Sequence, residues 1–160
     1  MSMHKHVYLA GAIEYAPDEG QAWRREVSQF LTGELKMSVV DPAHRERTLL
    51  SDEEKRCFRK WKSQDRERFL PVIRRLIDAD LSQILEQTSF IVVYWDQYSV
   101  QGTGTSGELT LAYLHDIPVY MVLGIPVEQT SSWVLGCATE VFVSFDQLKN
   151  FLSELYLCAQ

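Results

Sequence analysis

The sequence predicts an α/β fold, a doubly wound parallel sheet of about five strands with helices on both faces, of the flavodoxin or Rossmann kind. Two observations predict it. Short runs rich in β-branched and aromatic residues recur along the chain, and segments with apolar residues at helical spacing separate them. Strands that alternate with helices pair in parallel and are covered on both sides. Right-handed crossovers then wind the sheet in both directions.

The elements follow in order. "HVYLAG" (6–11) reads as a buried strand closed by Gly11. "DEGQAWRREVSQFLTGEL" (18–35) carries Ala22, Trp23, Glu26, Val27, Phe30 and Leu31 at helical spacing, with Gly33 as its stop. "KMSVVDP" is a short strand ended by Pro42. Residues 43–69 are highly charged and read as an exposed helical excursion, a lid, a subunit contact or a solvated face. Within it, Ser51-Asp52-Glu53-Glu54 suits a helix N-terminus. Residues 71–87 form a helix with Pro71 in its first turn. "SFIVVYWD" (89–96) is the most strand-like run. A glycine-rich loop and the helix "SGELTLAYLHD" come next. The strand "IPVYMVLG", a short helix or turn in "QTSSWVLGCA", the strand "EVFVSF" and the helix "DQLKNFLSELYLC" complete the chain.

With 160 residues and no linker or repeat, residues 1–160 are expected to form one domain. The composition, 46% hydrophobic and 24% charged, is that of a globular chain. A net charge of −6 argues against a nucleic-acid polymer or an anionic membrane as partner. No apolar run approaches the roughly 18 residues of a membrane span. The first twenty residues lack the long hydrophobic region of a secretory signal, so a cytoplasmic location is expected. Cys57, Cys137 and Cys158 are scattered, and His4, His6, His44 and His115 show no metal-binding spacing. No metal is expected, and no cofactor.

Sheets of this class bind ligands beyond the carboxyl ends of the strands, near the switch point. The loops at 10–19, 41–50 and 96–106 are therefore the ones to watch. Along 71–87, Val72, Ile73, Leu76, Ile77, Leu81, Ile84 and Leu85 fill one broad arc, and Asp80 falls near its middle. A carboxylate there is costly unless it is hydrogen-bonded or paired. It is either a backbone-satisfied aspartate or a site carboxylate whose pKa is raised. Thr105-Ser106-Gly107-Glu108 fits a capping box. Its glycines also suit an anion cradle, although "GTGTSG" matches neither nucleotide fingerprint. A third reading makes Glu108 a site carboxylate, since two carboxylates in one pocket suit chemistry at an acetal-like carbon. Tyr8 reads by default as a core aromatic. Gly11 permits a tight strand exit, Glu14 and Tyr15 line a pocket or lie on the surface, and Asp96 caps the next turn or faces ligand. Gly102, Gly104 and Ser106, from the same stretch, are candidate ligand-contacting residues.

Three stretches, "VYLAGAIEYAPDEGQAW", "LIDADLSQILEQTSFIVVYWD" and "GTGTSGELTLAYLHDIPVYMV", together resemble the nucleoside 2-deoxyribosyltransferase family and its nucleotide N-glycosidase relatives. The likeness runs loosely from Val7 to about Val122. It implies cleavage or transfer at the N-glycosidic bond of a 2′-deoxynucleoside or its monophosphate. It also implies Glu108 as the nucleophile at C1′, Asp80 at the base and its protonation, and Tyr8 positioning the nucleophile. A homodimer or larger assembly is implied too, with Trp61 and Trp133 available to an interface. Where transferases of that family often carry an aspartate, and its monophosphate hydrolases a serine, this chain has Gly102. A glycine usual after the glutamate is Thr110, and "LSELYLCAQ" does not match the segment that transferases exchange between subunits. Gly102 leaves the recognised 5′-group open, and the unmatched C-terminal segment favours hydrolysis over transfer. The alternatives are a noncatalytic nucleoside- or nucleotide-binding module and a hydrolase of a ribonucleotide or NAD.

Overall fold

A computed structural model describes residues 5–157, so His4 and Cys158 lie outside the described residues. Its five strands are β1 (His6–Gly11), β2 (Ser38–Val40), β3 (Phe90–Trp95), β4 (Val119–Leu123) and β5 (Glu140–Phe142). They form one sheet, all parallel, in the order β2-β1-β3-β4-β5. This is the doubly wound order of the flavodoxin type, and the winding reverses between β1 and β3. Tyr8 stands opposite Ile91 across that seam.

Among the described residues, eight α-helices accompany the sheet: α1 (Gln21–Gly33), α2 (Pro42–Leu49), α3 (Asp52–Gln64), α4 (Arg66–Gln87), α5 (Gln97–Gln101), α6 (Gly104–Leu114), α7 (Ser132–Cys137) and α8 (Phe145–Leu157). Alternation along the strands sorts side chains onto two faces. Val7, Leu9, Phe90, Val92, Tyr120 and Val122 pack with α1 and α8 through Val27, Leu31, Leu148 and Leu152. Tyr8, Ala10, Ile91, Val93, Val119 and Met121 pack with α4, α6 and α7 through Ile84, Leu109, Ala112 and Val134. Period-two alternation thus delivers Tyr8 to the face covered by α4 and α6.

The charged excursion becomes α2, α3 and the opening of α4. Ser51 and Glu54 form the reciprocal capping box that starts α3, with hydrogen bonds of 3.2 and 2.8 Å. The excursion is more than a solvated face, because Leu50, Phe58 and Trp61 bury themselves against Val72 and Leu76 of α4. Charge dominates its composition, yet Phe58 and Trp61 stand one helical turn apart on α3 and, with Leu50 at the end of α2, build a small core of their own.

Helix α4 starts five residues earlier than the sequence predicts. Asp65 caps it by accepting from the Arg68 N–H at 3.1 Å, which leaves Pro71 inside the helix and not in its first turn. The expected apolar arc is only partly covered: Val72, Leu76 and Ile84 are buried, while Ile77 and Leu85 are exposed. None of the helices among the described residues is long and apolar enough to cross a membrane.

Candidate active site

Helix α6 follows β3, the neighbour of β1, after the short helix α5, and Glu108 is its fifth residue. The Tyr8 hydroxyl donates to Glu108 Oε1 at 2.7 Å, joining residues 100 apart in sequence. Tyr8 is fully buried and Glu108 partly so. Loss of solvation pushes the Glu108 carboxyl up to about 7; the Tyr8 hydrogen bond and the Arg24 charge oppose this, and the Asp80 charge adds to it. Burial pushes Asp80 of α4 up to about 7 as well, with Arg45 and Arg24 opposing and Glu46 adding. Burial, followed by the charges of Glu108 and Asp80, holds the Tyr8 phenol well above its ordinary value. The Asp80 charge thus acts on both Tyr8 and Glu108, which meet at the β1/β3 seam.

The predicted capping box is absent. Helix α6 begins at Gly104 with Thr103 as its N-cap, so Thr105 lies within the first turn, buried. Glu108 stands too deep in the helix to reach back, and its carboxylate turns to Tyr8 instead. The loop at 96–103 differs from expectation because it holds a short helix. Asp96 caps α5 through Oδ1, which accepts from the Tyr98 and Ser99 N–H groups at 3.0 and 2.9 Å and faces the Ser99 hydroxyl at 3.1 Å.

The other expected site residues divide. Gly102 ends α5, and a Cβ there would touch the Tyr15 ring at 3.4 Å, so the loops after β1 and β3 meet at this point. Glu14 is exposed and ion-paired with Lys62 of α3, which also lies over the Tyr15 ring at 5.9 Å. These contacts tie the excursion to the loop after β1. Gly104 is exposed and borders open space. Ser106 lies about 200° round the helix from Glu108. It lines a cleft of about 440 Å³ with Trp95, Val100, Thr130 and Trp133, to which Glu108 does not contribute. The structure therefore does not bring Ser106 to the Tyr8–Glu108 pair.

Sequence reasoning missed Arg24, which is 1% exposed. Its Nη2 donates to the Gly11 carbonyl at 2.9 Å, and its Nη1 to the carbonyls of Glu19 and Ala12 at 2.9 and 3.3 Å. Its Nε faces Asp41 Oδ1 at 3.3 Å as an ion pair off the hydrogen-bond line. A signal was present: Arg24 sits three and seven residues before Val27 and Leu31, on the buried arc of α1. The same reasoning that singled out Asp80 applies to it.

Two glycines make room for this guanidinium and the Trp23 ring beneath it. A Cβ at Gly11 would lie 2.9 Å from Trp23 Cζ2. At Gly20, with φ of 70°, a Cβ would lie 2.1 Å from Arg24 Nη1. Gly20→Ala is therefore expected to destabilise the fold by about 2–3 kcal/mol through left-handed strain and overpacking. Thermal unfolding should show a melting temperature lower by roughly 4–12 °C. An unchanged melting temperature would contradict this seat for Arg24.

No protein-family model matches the sequence, and no match emerges among curated proteins. Several solved structures are similar to this one, two of them along nearly the whole chain. A conserved protein from Enterococcus faecalis V583 aligns over 92% of this chain and 96% of its own at 14% identity, with a TM-score of 0.61. A 2-deoxyribosyltransferase from the psychrotolerant bacterium Bacillus psychrosaccharolyticus aligns over 91% of this chain and 90% of its own at 18% identity, with a TM-score of 0.60. The chain thus has the doubly wound fold of a 2-deoxyribosyltransferase along nearly its whole length.

Proposed function

We propose that this protein belongs among the nucleoside 2-deoxyribosyltransferases and their N-glycosidase relatives. Its reaction is cleavage or transfer at the N-glycosidic bond of a 2′-deoxynucleoside or its 5′-monophosphate. The observation that carries the reading is the 2.7 Å hydrogen bond from Tyr8 to Glu108, with the charge of a second carboxyl, Asp80, acting on the pair.

The chemistry follows from that arrangement. Glu108 attacks C1′ of the sugar as a carboxylate while the bond to the base nitrogen breaks, and the electron pair leaves with the base. Asp80 delivers a proton to the departing base. The resulting glycosyl ester on Glu108 is opened by water or by a second base, with Asp80 now accepting the acceptor's proton. Two displacements retain configuration at C1′. Tyr8 donates to the nucleophile and favours its charged form, which assigns the ionised role to Glu108 and the protonated role to Asp80. Fully buried, Tyr8 also fixes the direction from which the carboxylate approaches.

Incubation with deoxynucleosides and deoxynucleoside monophosphates should release free base. No release from any of them by folded protein would overturn the proposal; binding without turnover would favour a binding module. The pH dependence is a sharper test. Both carboxyls sit at about 7 and the Asp80 charge raises that of Glu108, so in the proposed working form the two hold one proton between them. Below that range both are protonated and the nucleophile is lost; above it both are ionised and the acid is lost. A bell-shaped kcat/KM profile centred near pH 7 is expected, falling about tenfold per pH unit on each side. A flat profile from roughly pH 5 to pH 9 would contradict the assignment.

A further inference from the structure

We propose that Arg24 is a positioning residue of this site: its guanidinium fixes the loop after β1 and sets a permanent positive charge behind the Tyr8–Glu108 pair. The inference rests on the roles given above to Glu108 and Asp80. Three of its hydrogen bonds go to the carbonyls of Gly11, Ala12 and Glu19, which bracket the loop from the end of β1 to the start of α1. Its carboxylate partner, Asp41, follows β2 and caps α2, so Arg24 draws together the carboxyl ends of two adjacent strands.

A staple for three carbonyls does not require a charge. Neutral amides or an indole would donate without the heavy desolvation cost of a buried guanidinium. Among the described residues, Arg24 is the only lysine or arginine in the fully buried set, and Gly11 and Gly20 leave it the room. Asp41 does not neutralise it fully, being 27% exposed and off the hydrogen-bond line. The guanidinium sits on the Gly11 carbonyl, three residues beyond Tyr8 on β1 and so roughly 10 Å along the strand; its remaining charge is within reach of the Tyr8–Glu108 pair, of Asp80 on α4 and of Asp18 in the loop. Arginine also cannot lose its proton in a protein, so the charge persists through every step. It opposes the burial that would otherwise keep Glu108 neutral, and opposes it for Asp80 too, where Arg45 and Glu46 of α2 also act.

The test is a carbon-13 NMR titration of the Glu108 carboxyl in glutamate-labelled protein, its signal assigned by its disappearance in Glu108→Gln. Arg24→Gln keeps donors and removes the charge; its Glu108 midpoint should rise by on the order of one pH unit. Arg24→Lys keeps the charge and loses the fork, and its midpoint should stay near that of the wild type. Should Arg24→Gln not fold, Asp41→Asn retains the α2 cap and unmasks more of the Arg24 charge, so the midpoint should fall. The acid limb of kcat/KM should follow each midpoint. Midpoints unmoved in Arg24→Gln, or in Asp41→Asn, would overturn the proposal and reduce Arg24 to a staple. The titration needs no turnover, so it separates failure of this inference from failure of the proposed reaction. In the second case the wild type releases no base, while the midpoints still report on Arg24.

Discussion

Glu108→Gln is expected to lower the rate of base release by about 10⁴-fold or more, because no other group in the account can form the bond to C1′. The amide oxygen still accepts from the Tyr8 hydroxyl, so the geometry of the pair and the binding of substrate should survive. The loss should therefore fall on kcat, with KM little changed. The same variant should be more stable than the wild type at alkaline pH. Glu108 has its folded pKa raised from 4.5 to about 7, so it binds a proton more tightly in the folded state than in the unfolded one. Its contribution is fully present below the unfolded value and is lost as pH rises through the folded one. Glutamine carries no such penalty. Thermal unfolding of both proteins at acidic and alkaline pH reads this directly; a stability difference that does not grow with pH would contradict the buried, ionisable Glu108 described here.

Asp80→Asn is the second large effect. Asparagine preserves size and polarity but carries no proton to transfer, and loss of a positioned general acid typically costs about 10²–10⁴-fold. The deficit should depend on the leaving base. A base that departs readily without protonation should narrow it, and one that needs a proton should widen it. The basic limb of the pH profile should vanish as well, because that limb reports loss of the Asp80 proton. An equal loss for every base, with both limbs intact, would argue that Asp80 supports the fold and does not handle a proton.

The fold was legible in the sequence because its signals are local. β3 is a run of buried, β-branched and aromatic residues, and β1 ends at a glycine that the Trp23 ring requires. The switch point followed from strand order, and the loops it named hold Tyr15 and Gly102. Asp80 and Glu108 were legible for different reasons. Asp80 is a carboxylate on an apolar arc, an energetic anomaly readable from spacing alone. Glu108 was singled out by a pattern that it does not use: the capping box fits residues 105–108, but α6 starts at Gly104 and α5 takes the preceding turn.

What remained hidden depends on contacts between distant segments. Tyr8 is a core aromatic by every local measure; only the family resemblance named it, and only the approach of α6 gives its hydroxyl a partner. Arg24 stands beside Arg25 in a polar-looking stretch, and its burial requires the particular bend of residues 11–20 around it. Ser106 and Glu108 are two residues apart in sequence, yet the helix sends them to opposite sides. The small core of the excursion was obscured by charge, because Leu50, Phe58 and Trp61 are few among many ionisable neighbours.

The central claim is that Glu108 becomes covalently joined to the sugar. Wild-type protein mixed with a slow 2′-fluorinated nucleoside and quenched in acid should show, by intact mass, the addition of one glycosyl group. Peptide mapping should place that group on Glu108, and Glu108→Gln should show none. Release of base with no adduct, together with ordinary turnover by Glu108→Gln, would contradict the account.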